Sequence, residues 1–279
     1  MESKNEVIKA RPAIQITGYI TLLQRQLWNV LLANAYDLLP KQAVHRISVA
    51  DLASMVGFDS KNEQYLKSSV KALMACLVEW NLLSDKGQKQ WGAATLLARV
   101  AIEDGICTYE YSNFMCEQLH NPGIYSRINL LMQTQFKSKH DLALWELCSD
   151  YQKVKSTGWI PLDQFKALMG VQSGSIYHQF MNFNQKVIKP AIQEINEVSD
   201  LHIEVEFERW ARKVAKVRFL IKQKKKPTKD STAKEKTKAL VEQSIEASGV
   251  QPEDVAKLKG KKKDTAQQTL FSIIEKVKK

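Results

Sequence analysis

The sequence is poor in the residues that build covalent or metal-bound sites. It holds four cysteines, Cys76, Cys107, Cys116 and Cys148, and no two of them form a Cys-x-x-Cys pair. A disulfide framework and a zinc knuckle are thereby excluded, leaving small buried thiols in a reducing cytoplasm. The five histidines, His45, His120, His140, His178 and His202, are scattered, without the His-x-His or His-x-x-x-His spacing of a metal site. No apolar run approaches the roughly 18 residues of a membrane span. The run around Ala72–Val78 is stopped by Glu79 and reads as a buried helix. The segment Met1–Pro12 mixes both charge signs without an apolar centre, so no signal peptide is expected. Gly87 and Gly92 have the spacing of a phosphate loop, but Ala93-Ala94 stands where Lys-Ser/Thr is needed, so the stretch reads as a turn. No serine or cysteine has a base partner by spacing. No catalytic residue, metal or cofactor is therefore expected.

What is present points elsewhere. At about 150 residues per domain the chain has length for two cores. Its 44% hydrophobic and 25% charged content is globular. Lys+Arg 41 against Asp+Glu 30 leaves a net +11, which favours an anionic partner, nucleic acid first. The charge is uneven: the 58 residues from Lys222 hold 16 lysines and 8 acids, so the rest carries 25 basic and 22 acidic groups. The stretch KKKPTKDSTAKEKTK in this tail has almost no apolar content and reads as a flexible linker. Further on, Ala266, Leu270, Ile273, Ile274 and Val277 form one helical stripe. That stripe is either a partner-binding or self-associating helix, or a helix too marginal to form alone.

The most informative feature is an internal repeat. Ile47–Phe58 (ISVADLASMVGF) and Ile160–Val171 (IPLDQFKALMGV) match without a gap at a spacing of 113 residues. Ile47 corresponds to Ile160, Leu52 to Phe165, Met55 to Leu168, Val56 to Met169 and Gly57 to Gly170. A second block, Glu79–Asp85 with Glu194–Asp200, follows at a spacing of 115. Each copy begins with a short helix; in the first it is Val49–Met55, with Ser48 as N-cap and Asp51 at the capping-box position. A glycine turn and a longer amphipathic helix come next. In the first copy Leu66, Val70, Leu73 and Leu77 face inward, and Gln64, Lys67, Ser68 and Lys71 face outward. In the second Val187, Ala191, Ile195 and Val198 face inward, and Lys186, Lys189 and Gln193 outward. Pro190 either starts this helix or kinks it.

The period then switches to two. Leu201, Ile203, Val205 and Phe207, followed by Ala215, Val217, Phe219 and Ile221, spell an antiparallel hairpin. In the first copy Leu96–Glu103 and Ile106–Tyr111 flank an Asp104-Gly105 turn. Helix, turn, helix and hairpin make a winged helix. The fold class is α+β, mainly helical: two tandem winged helices joined by the helical stretch Asp141–Tyr151, plus the lysine-rich tail. The expected domains are residues 1–135, 136–222 and 223–279, with the possible tail helix at 264–277. Trp28, Trp80, Trp145 and Trp159 lie among apolar residues and read as core anchors.

The second wing carries the sharpest charge. From Arg209 to Lys226 there are nine basic residues and no acid. Arg209, Arg212, Lys213, Lys216 and Arg218 on a hairpin behind a helix-turn-helix suit phosphate contact. A solvated edge that blocks strand pairing is the other use of such a cluster. Gln64, Lys67, Ser68 and Lys71, with Lys186, Lys189 and Gln193, have the residue types that read base edges.

At His140–Tyr151 (HDLALWELCSDY), Ile160–Gly170, VIKPAIQEIN from Val187 to Asn196 with Ser199-Asp200, Ala211-Arg-Lys-Val214 and Val217-Arg-Phe219, the chain resembles the replication initiators of iteron-containing bacterial plasmids. The likeness spans about residues 14–222. Ala211 departs from it, standing where the family usually has Gly, which bears on the tightness of the wing turn. The long basic tail is not a usual part of the pattern. The resemblance implies binding of directly repeated origin sequences by both winged helices and opening of adjacent A·T-rich DNA. It also implies recruitment of the host initiator ATPase and replicative helicase. A dimer in equilibrium with monomer would repress its own gene at an operator inverted repeat and set plasmid copy number; the first domain would carry the dimer interface. A cytoplasmic, plasmid-associated protein without membrane contact is implied.

Two other readings stay on the table. A winged-helix transcriptional regulator without origin activity would normally pair one reading head with an effector or dimer domain. A nicking, rolling-circle initiator needs a His-hydrophobic-His metal site and a tyrosine nucleophile, and the histidine pair is missing.

Overall fold

The computed structural model describes residues 5–14, 19–39, 41–58, 62–83, 89–120, 125–171 and 174–224. Residues up to Lys224 fall in one compact unit. The lysine-rich tail beyond Lys224, its apolar stripe and the turn around Gly87 lie outside the described residues. The chain opens with β1 (Glu6–Ala10), α1 (Arg11–Ile14) and α2 (Leu22–Ala35). The first helix-turn-helix follows as β2 (Val44–Ser48), α3 (Val49–Met55) and α4 (Glu63–Ala72). Two hairpins come next, β3 (Leu77–Leu83) with β4 (Lys89–Thr95), and β5 (Arg99–Glu103) with β6 (Ile106–Glu110). After α5 (Asn113–Leu119), β7 (Tyr125–Asn129) and α6 (Leu130–Gln133), the long α7 (Lys139–Asp150) leads to β8 (Ile160–Pro161) and α8 (Leu162–Leu168). The second long helix is α9 (Phe180–Phe183), a π turn (Asn184–Ile188) and α10 (Lys189–Val198) run together; β9 (Leu201–Trp210) and β10 (Lys213–Gln223) close the unit.

Both copies build the same sheet. The strand before the helix-turn-helix pairs with the second arm of the hairpin behind it, giving the orders β2-β6-β5 and β8-β10-β9. The chain thus contains two tandem winged helices. The first repeat block is structural throughout: Leu52 and Phe165 are buried at matching points of α3 and α8. Gly57 (φ 67°) and Gly170 (φ 64°) both turn in the left-handed region that glycine tolerates. An added Cβ at Gly57 would meet only ordinary contacts with Thr134, so backbone conformation rather than space requires the glycine. Ser48 caps α3 by accepting from the Asp51 N–H at 2.9 Å, and its hydroxyl donates to Asp51 Oδ2 at 2.6 Å.

Three sequence expectations need correction. The second repeat block does not hold, because Glu79–Leu83 lies in β3 whereas Glu194–Val198 lies in α10. The run Ala72–Val78 is not a buried helix: α4 stops at Ala72, the chain turns, and Leu77 begins β3 at 53% exposure. An extra hairpin, β3–β4, is therefore inserted between the first long helix and its wing, and the wing itself starts at Arg99 rather than Leu96. Pro190 lies in the first turn of α10, which begins at Lys189 directly after the π turn, so the reading that a helix starts there holds and the missing N–H is tolerated.

The stretch joining the copies is a core element of both. Residues 141–148 of α7 are buried all round, and the helix packs on β7, α1 and α2 on one side and α10 on the other. Its Glu146 is fully buried, accepting from Lys9 Nζ (2.8 Å), Arg25 (2.7 Å) and Asn29 (2.6 Å). Asn29 also accepts from Lys9 (2.9 Å) and donates to Gln133 (2.9 Å). Burial works against the carboxylate, yet Lys9 and Arg25 together hold Glu146 below its ordinary value. Burial takes Lys9 down to about 8 against the pull of Glu146. At the end of the helix Asp150 receives Arg11 at 2.5 Å. Trp28 and Trp145 are buried as expected; Trp159, 38% exposed, instead lies beneath the Arg218 guanidinium at 4.5 Å from the ring centre.

Candidate nucleic-acid interface

The first long helix, α4, is capped by Asn62, whose side chain accepts from the Tyr65 N–H at 3.0 Å. Leu66 and Val70 are buried, which fixes the rotation and turns Gln64, Ser68 and Lys71 to water. Lys67 is half-buried and lies 3.7 Å from Glu63 one turn back. In the second copy Val187, Ala191 and Ile195 are buried and Lys186, Lys189 and Gln193 exposed. All seven side chains thus lie on the outward side of their helices. His140 fastens α7 to the second helix-turn-helix, with Nδ1 2.9 Å from the Met169 carbonyl. Burial and the Lys139 charge push that imidazole down to about 4, so the neutral ring donates there.

The wings differ. In the first, Arg99 pairs with Glu110 at 2.9 Å, and the tip is Glu103-Asp104-Gly105. Between this tip, α3 and α4 lies a cleft of about 490 Å³ floored by Val49, Ala53, Phe58, Leu66 and Ile102, with Glu63 and Asp104 also lining it. Among the described residues of this wing and cleft, both cations lie beside acids, Arg99 at Glu110 and Lys67 at 3.7 Å from Glu63.

The second wing is twice as long, and its charges sort by position. Along its length each cation faces an acid of the neighbouring strand: Lys216 with Glu208 (2.8 Å), Arg218 with Glu206 (2.7 Å) and Lys222 with Glu204 (2.9 Å). Lys224 donates to the Ser199 carbonyl at 2.9 Å. The run without acids in sequence is therefore flanked by acids in space. Arg209, Arg212 and Lys213 at the tip are exposed and make no ion pair among the described residues. The turn is two residues long, Ala211 (φ 46°) and Arg212 (φ 68°), both left-handed without glycine. The departure at Ala211 thus leaves the turn tight, at the cost of backbone strain.

Among the described residues no group of His, Cys, Asp and Glu could hold a metal ion, and no helix is long and apolar enough to cross a membrane. The four cysteines are free; burial pushes Cys107 up to about 11 and Cys148 higher still, so these thiols stay protonated.

Two sheets of one order, each behind an outward-facing second helix, define a tandem winged-helix DNA-binding protein. Residues 5–149 match the family described as Initiator Replication protein, WH1, and residues 161–221 the one described as Initiator Rep protein, WH2. The chain belongs to this initiator family, whose members act in plasmid replication. Among solved structures, a crystal structure of domains 2 and 3 of RctB aligns at a TM-score of 0.39 and 11% identity, covering 74% of this chain and 81% of that one. No curated protein sequence matches.

Proposed function

We propose that the protein initiates replication without enzymatic chemistry, by binding directly repeated double-stranded origin sequences through both winged helices. The observation that carries this reading is the duplication itself: two reading helices, each with an exposed polar face, in one polypeptide. Such a pair suits successive major grooves about 34–36 Å apart, hence a bipartite site read by one chain. Gln64, Lys67, Ser68 and Lys71 serve the first groove and Lys186, Lys189 and Gln193 the second. Arg209, Arg212 and Lys213 meet phosphate directly, whereas Lys216 and Arg218 do so by exchanging the acids they now hold. Opening of adjacent A·T-rich DNA, recruitment of the host initiator ATPase and replicative helicase, a homodimer in equilibrium with monomer, and repression of its own gene at an inverted repeat complete the reading. The domain limits 1–135, 136–222 and 223–279 belong to the same proposal.

Footprinting of the purified protein on DNA flanking its gene tests this. Protection of several direct repeats beside an A·T-rich stretch is the expected result. Protection of a single promoter palindrome, with no origin activity in a plasmid maintenance assay, would instead establish the transcriptional regulator. Magnesium-dependent nicking of supercoiled DNA, lost on changing one tyrosine, would establish the rolling-circle reading.

A further inference from the structure

Four tryptophan side chains are among the described residues. Trp28 and Trp145 are buried, and Trp159 lies under Arg218. Trp210 is 79% exposed. It is the last residue of β9, opposite Lys213 in the final rung before the strained two-residue turn. An indole left in water forfeits the burial that makes tryptophan valuable in a fold, so no packing among the described residues explains its position. Its surroundings are cationic: Arg209, Arg212 and Lys213 lie within three residues, and the nearest acid along β9, Glu208, is held by Lys216. A flat apolar ring ringed by unpaired cations, at the apex of a narrow ribbon, complements a surface that is polyanionic outside and aromatic inside.

We propose that Trp210 is a wedge for duplex DNA: the wing tip enters the minor groove, the indole seats against a base step and partly unstacks it, and Arg209, Arg212 and Lys213 hold the flanking phosphates. The inference rests on the DNA-binding reading and adds a residue and a deformation to it. The minor groove, about 6 Å wide, admits a ribbon edge, and apolar side chains inserted there kink the duplex. The unstacked bases recover contact with the indole face, and the kink falls most easily at flexible pyrimidine–purine steps such as TA. The wing would then loosen the duplex as well as hold it.

The test uses the full chain, its Trp210→Ala, Trp210→Phe and Arg212→Ala variants, a poly(dA-dT) duplex and an oligo(dT) single strand. Acrylamide quenching of tryptophan emission reports access to the indole, with the Trp210→Phe variant isolating its share. Energy transfer between the labelled ends of a short TA-rich duplex reports bending. The expected result is that the duplex shields the wild-type indole and draws its ends together. Trp210→Ala then binds about tenfold more weakly without bending, Trp210→Phe keeps most of both, and Arg212→Ala chiefly lowers the salt dependence. Wild-type binding and bending by Trp210→Ala would overturn the wedge while leaving DNA binding intact. So would shielding of the indole by oligo(dT) but not by the duplex, since that is stacking on single strands. Absence of any salt-sensitive duplex binding by the wild type would overturn the DNA-binding reading itself.

Discussion

The two wings of this protein have one topology and opposite character. The first has five-residue strands, ends in Glu103 and Asp104, and flanks an apolar cleft. The second has strands of 10 and 11 residues, ends in Arg209, Arg212 and Lys213, and carries an exposed tryptophan. The same fold element therefore carries an acidic tip in one copy and a basic tip in the other, and on the proposed function only the second is suited to phosphate. The second head should dominate non-specific affinity, with the first contributing mainly through its helix.

Substitutions of graded effect test that asymmetry. The largest effect lies where the heads are the same, in the interior they share through α7. Glu146→Ala leaves Lys9 and Arg25 buried without their partner and should cost about 3–5 kcal/mol in denaturant unfolding. One cooperative transition is expected, and separate unfolding of the two heads would break the picture of a shared core. The pH dependence has a defined sign. The folded carboxyl of Glu146 titrates below its ordinary 4.5, so its stabilisation is complete above that value. The contribution fades as pH falls through the lower folded value, and Glu146→Gln should remove that acid-side loss.

Next in size is charge reversal at the tips. Arg212→Glu combined with Lys213→Glu should lower duplex affinity by about two orders of magnitude at moderate salt and flatten the salt dependence. Glu103→Lys in the first wing should raise affinity by about tenfold at most, and comparable losses from Arg99→Glu would show that the first wing also meets phosphate. Gln193→Ala should cost roughly 1–3 kcal/mol at the specific site alone. An equal loss on every sequence would remove Gln193 from base readout, and Gln64→Ala provides the matching measurement in the first head. The smallest change is Ala211→Gly, which should stabilise the protein by about 0.5–1 kcal/mol by relieving a left-handed alanine. A thermal melt showing no gain would mean that the turn is not strained.

Much of this was legible in the sequence because a few residues serve one purpose each. Gly57 and Gly170 mark left-handed turns, and the apolar residues before them mark one helix in two copies. What failed has physical causes. The stretch ALMACLVEWNLL has no breaking residue between α4 and β3, so its apolar run hid the inserted hairpin and produced a false second repeat. Along the chain Arg209 to Lys226 is free of acids, but pairing is across the sheet, where Glu204, Glu206 and Glu208 stand opposite. Nothing local in the sequence marks Lys9, Arg25 and Glu146 as buried partners, because Lys9 and Glu146 stand 137 positions apart. Nothing in the strand period marks Trp210 as exposed, because exposure at a ribbon tip is set by where the hairpin turns.

The closure of the first head also sets an order of events during synthesis. β1 pairs with β7 from Glu6 opposite Asn129 to Ala10 opposite Tyr125, and Lys9 waits for Glu146. β1 therefore has no strand partner until Tyr125–Asn129 have followed, and Lys9 no carboxylate until Glu146 has, many seconds later at about 5–20 residues per second. Until then it is an unpaired edge with a lysine destined for the interior. The nascent chain must hold that edge apart from its neighbours on a polysome, so slow translation before α7 should increase aggregation of this protein more than slow translation after it.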